Sequence, residues 1–134
     1  MLKLLIALVL LAHGIGHSLG LLQVFRIATV NPQWNGDSWL LTGPVGSAAA
    51  QAAGVVIWAT AIVGFAALAA LVIGWLPATW WVPLAVGSAA VSLAGLALFP
   101  TAFPPASSVG ALVVDVAVLA SVLWLHWAPE QLAS

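Results

Sequence analysis

Charge is almost missing from this chain. Lys3, Arg26, Asp37, Asp115 and Glu130 are its only formally charged side chains, 4% of 134 residues. A soluble domain carries about 25%. With 64% hydrophobic residues and so little charge, the chain has no polar coat to keep it dispersed in water. Cysteine is absent, which excludes disulfides, thiolate metal sites and thiol nucleophiles. Basic and acidic runs are absent too, and the formal net charge is −1. A nucleic-acid partner demands clustered Lys and Arg, as does a polybasic lipid-binding segment, so both are excluded.

What the chain has instead is long apolar runs. At roughly 20 residues per crossing, the length accommodates four spans, and the hydropathy places them at about 2–27, 45–75, 79–99 and 109–127. The expected fold is all-α integral membrane, an up-down bundle of four transmembrane helices forming one transmembrane domain over 1–134. Lys3 followed by Leu4 to Ala12 has the look of a signal peptide. The apolar run nonetheless continues to Ile27 without a clean cleavage site, and it reads as a retained first helix.

The interruptions are chemically distinct. Thr29 to Pro44 is polar and carries Asn-Pro and Asn-Gly-Asp, which are turn sequences; helix one should stop near Val30. Leu76-Pro77-Ala78 makes a tight turn. Pro100 to Ser108 holds three prolines, and Ser107 or Ser108 can cap the fourth helix. Two tryptophan-rich belts are expected, as tryptophan favours a membrane interface. Trp75, Trp80, Trp81, Trp124 and Trp127 would form one, and Trp34, Trp39, Phe25, Phe99 and Phe103 the other.

Few residues in the spans can do chemistry. His13 and His17 are four apart and so share a helix face, with Gly16 and Gly20 beside them as a small-residue stripe for a close neighbour. Asp115 is the one acid deep in a span, where a bare carboxylate is costly. From the helical rise, His17, Gln51, Ser92 and Asp115 each lie roughly 9–14 Å in from the same end of the bundle. They are expected to form a polar layer, one residue per helix, with His13 a turn deeper. Arg26 caps the layer near the interface and can reach an anionic headgroup, while His126 reads as interfacial.

Three readings of this layer stay open. Two imidazoles and a carboxylate are a ligand set for Zn, Fe or Cu, with Gln51, Ser92 and Arg26 as ligand-binding support. Haem fits poorly, because histidines one turn apart cannot take opposite faces of one iron. Alternatively, His17 and Asp115 are an acid–base pair acting on a quinone or lipid. The third reading is helix glue, a charge-assisted bond locking spans together. The small-residue start of span two suggests a membrane-protein partner or a homo-oligomer.

The HGIGH stretch (His13, Gly14, Gly16, His17), a tryptophan-bearing first loop and four apolar spans resemble small uncharacterised bacterial four-helix membrane proteins, and the layout is similar to the DoxX-like group. That resemblance implies a role near respiratory quinones or redox partners. The sequence as a whole reads as a non-enzymatic accessory subunit or binding module. Its expected place is the bacterial inner membrane, with both termini on the cytoplasmic side.

Overall fold

A computed structural model describes Met1 to Leu132; residues 133 and 134, the end of the expected domain, lie outside the described residues. The described residues are helical and contain no strand. Helices α1 (Leu2–Gly16) and α2 (Ser18–Val24) run on as one rod, followed by the short α3 (Thr42–Val45), α4 (Ser47–Val72), α5 (Trp81–Leu98) and α6 (Pro105–Leu123). Four of these rods are long and apolar enough to cross a membrane: Leu2–Val24, Ser47–Val72, Ala78–Leu98 and Pro105–Leu123. Leucine, valine and isoleucine coat their outer faces, with Leu4, Leu8, Ile15, Val56, Val63, Val113 and Val116 all exposed.

The helix ends have local causes. The first rod stops at Val24, short of Val30, because Arg26 takes up a left-handed backbone (φ 57) and Ile27 N–H turns back to the Leu22 carbonyl. This is the closing turn that glycine usually provides. Gly74 (φ 88) does the same after α4. The fourth rod starts at Pro105, ahead of Ser107 and Ser108, because proline fits the first turn of a helix, where its missing N–H is not needed. Neither serine caps it.

The α1–α2 rod packs on α4, α4 on α5, and α5 on α6, while α1 and α6 barely touch. The α1–α4 contact is close because glycine permits it. A Cβ at Gly14 would stand 2.8 Å from Phe65 Cβ, and one at Gly20 would stand 2.7 Å from the Trp58 ring. Gly16, expected to share that role, faces open space instead. Two cores result. One gathers Leu10, Phe65, Leu68, Val72, Trp81 and Val118; the other stacks Trp34, Trp58, Phe99 and Phe103.

The second core corrects the expected belts. Trp34, Phe99, Phe103 and Trp81 are buried, whereas Trp39, Trp75, Trp80, Trp124 and Phe25 are exposed. Trp34 is carried inward by the first loop, which folds back on the bundle. Gln23 organises that loop: its Oε1 accepts from the N–H groups of Val30 and Asn31, and its Nε2 donates to the carbonyls of Asn31 and Trp34. Ser38 and Trp39 then donate to the Leu98 and Ala97 carbonyls at the end of α5.

Candidate functional site: a His-Asp-Ser cluster beside a cavity

Three of the four rods deliver polar side chains to one place. The α1–α2 rod supplies His13 and His17, α5 supplies Ser92 and α6 supplies Asp115. Ser92 and Asp115 are fully buried and His17 nearly so. Asp115 is the hub. Its Oδ1 lies 2.9 Å from His13 Nε2, and its Oδ2 accepts from Ser92 Oγ at 2.6 Å. Ser92 Oγ is in turn 3.0 Å from His17 Nε2. Both lengths at the carboxylate are those of charge-assisted bonds.

The helix is locally tightened where the histidines sit. His17 N–H bonds the Gly14 carbonyl and Gly20 N–H bonds the His17 carbonyl, each three residues apart, which divides α1 from α2. Such tight turns inside a long helix often mark functional positions. The imidazole rings are 5.1 Å apart, nearly perpendicular. Phe65 stands against His13 at 4.3 Å and Phe103 against His17 at 6.2 Å, both edge to face. Neither phenylalanine announces itself in an apolar sequence, so sequence reasoning missed both.

The pairing differs from the expected one. His13, not His17, bonds Asp115 directly; His17 reaches it through the Ser92 hydroxyl. Ser92 therefore occupies the position between His17 and the carboxylate. His13, His17 and Asp115 do not converge on one point as a ready metal cage would require, and no group of three His, Asp or Glu side chains does so among the described residues.

Gln51 and Arg26 are not in the cluster. Gln51 lies over Gly36 of the first loop, and with Arg26, Gln23 and Asn35 it lines a separate polar cavity of about 280 Å³ at the loop end. The expected four-residue layer is thus two sites. His126 sits past the end of α6, away from the cluster.

A cavity of about 190 Å³ adjoins the cluster on its loop side. His13, Gly16, His17 and Leu19 form one wall, Leu96 and Phe103 the back, and Ser107 and Ala111 the other wall. On the far side of the His13–Asp115 bond, a second, apolar crevice continues along the same seam, from Val9 and Val113 to Trp81 and Trp127. The polar bond thus bridges a seam that is otherwise open on either side.

No protein-family model matches this chain, and no curated protein or solved structure matches it either.

Proposed function

We propose that this chain is an integral membrane protein of four spans, both termini on one side, that acts as an intramembrane binding module. Its ligand is a lipid-soluble molecule whose polar head enters the cavity between the first and fourth spans. The exposed aliphatic coat supports the membrane assignment, since water offers such a surface no partner. The observation that carries the binding assignment is the cavity itself. A polar cluster serving only to fasten helices would be packed shut, whereas here two imidazoles line an opening of about 190 Å³.

Size limits what enters. Sites for whole drug-sized molecules run to about 300–1,000 Å³. This cavity accepts a head group and leaves the tail among lipid chains. Gly16 and Ser107 are exposed at its rim, on the side that would face lipid.

The test is to purify the protein from membranes without a histidine tag and to identify co-purifying small molecules by mass spectrometry, with metal analysis on the same sample. A stoichiometric organic compound that disappears in Gly16→Leu supports the reading. A stoichiometric transition metal lost in His17→Ala would replace it with a metal site. A Gly16→Leu protein that retains its full complement of bound compound would place that compound elsewhere and defeat the proposal.

A further inference from the structure

One arrangement of protons satisfies every hydrogen bond inside the cluster. Ser92 has one hydroxyl proton and two neighbours. Its 2.6 Å contact to Asp115 has the length of an O–H···O⁻ bond, so the proton points there. Ser92 must then accept from His17, which places a proton on His17 Nε2. The carboxylate charge needs a counter-charge at this depth, because a lone ion in an apolar medium is strongly disfavoured. A protonated His13, 2.9 Å away, would supply it. A second imidazolium at His17 would leave the cluster with a net charge, so His17 stays neutral.

Each histidine therefore has one ring nitrogen left over, and the two are opposite in kind. In this arrangement His13 Nδ1 carries a proton to donate, and His17 Nδ1 carries a lone pair. Neither bonds to another described residue. Neither is sealed from open space, unlike Trp58 Nε1 and Ser108 Oγ, which are buried without partners. The open space that both rings line is the cavity beside Gly16.

We infer that this cavity selects a lipid-soluble alcohol or phenol, whose hydroxyl accepts from His13 Nδ1 and donates to His17 Nδ1. This rests on the binding reading above and names its ligand class. One oxygen serves both nitrogens with bonds of about 2.8 Å each, within reach of two rings whose centroids are 5.1 Å apart. The volume points to a ring-sized head: an apolar cavity of about 150 Å³ holds one benzene, and this one is about 190 Å³ with Leu19, Leu96, Phe103 and Ala111 as walls. Ethers and ketones accept but cannot donate. They leave the His17 lone pair unpaired in a dry site, which costs at least about tenfold in affinity.

The full-length protein in lipid nanodiscs, titrated with a long-chain para-alkylphenol and with its methyl ether, separates the possibilities. The phenol should bind at least about tenfold more tightly than the ether, and Gly16→Leu should abolish binding of both. Nitrogen-15 spectra of labelled histidines should show His17 protonated on Nε2 alone and His13 on both nitrogens. Equal binding of phenol and ether overturns the selectivity while leaving a binding site in place. Binding of neither overturns the inferred ligand class, and the binding reading falls with it only where no compound co-purifies with the protein either. A proton on His17 Nδ1 overturns the inference whatever binds.

Discussion

At the scale of single residues, Asp115 matters most, since it satisfies two partners at once. Asp115→Ala strands His13 and Ser92, and losing one side of a buried ion pair typically costs about 3–5 kcal/mol. Thermal unfolding in detergent should register that loss, and a double-mutant cycle with His13→Ala should show strong coupling. Ser92→Ala removes a smaller link and orphans His17 Nε2, for about 1–3 kcal/mol. Arg26 makes an opposite prediction. It holds a left-handed turn that a residue with a Cβ adopts at a cost of roughly 1–2 kcal/mol. Arg26→Gly should therefore raise the melting temperature, and an unchanged or lower value would show that the guanidinium contributes more than the strain takes away. The cluster's membership was partly legible at this scale. The histidine spacing and the lone buried acid marked His13, His17 and Asp115, and the rise per residue brought in Ser92. Gln51 was misplaced because height along a helix says nothing about direction around it. That direction is set by packing, which turned Gln51 toward Gly36.

At the scale of elements, the two glycine faces of the first rod separate cleanly. Gly14 touches Phe65 on α4, so Gly14→Val forces the helices apart at about 1–3 kcal/mol. Gly16→Val meets nothing and should leave unfolding unchanged. The sequence shows the glycines but not which of them abuts a neighbour. The first loop depends on Gln23 in a way that no motif advertises, since a lone glutamine near a helix end has many uses. Gln23→Leu removes four hydrogen bonds to that loop. Amide exchange at Val30 and Asn31 should accelerate markedly, while the amides of α4 stay protected. If Val30 and Asn31 keep their protection, the loop is held by its Trp34 contacts instead.

At the scale of the molecule, four apolar rods were readable from hydropathy alone, because runs of about twenty residues with at most one charge leave few alternatives. Their ends shifted by several residues, since the closing turns at Arg26 and Gly74 are made by backbone geometry that composition does not reveal. The absence of cysteine gives a clean test of the proposed topology. Single substitutions Lys3→Cys and Gln131→Cys should react with an impermeant maleimide from one side of the membrane, and Gln33→Cys from the other. Labelling of Lys3→Cys and Gln33→Cys from the same side would rule out a four-span arrangement.

The bond that bridges the open seam joins residues 102 positions apart. Ribosomes deliver the first of them long before the second. In the proposed topology His13 and His17 enter the bilayer early in synthesis, α4 can dock on Gly14 and Gly20 without delay, and His13 then waits for the last rod to bring its carboxylate. Assembly thus ends on the polar cluster, and a nascent chain halted before Pro105 carries His13 without its carboxylate, although Ser92 already stands beside His17. Such a truncated chain should be cleared by membrane proteases faster than the complete one. The order in which this molecule is made turns its fully buried carboxylate into the mark of a finished product.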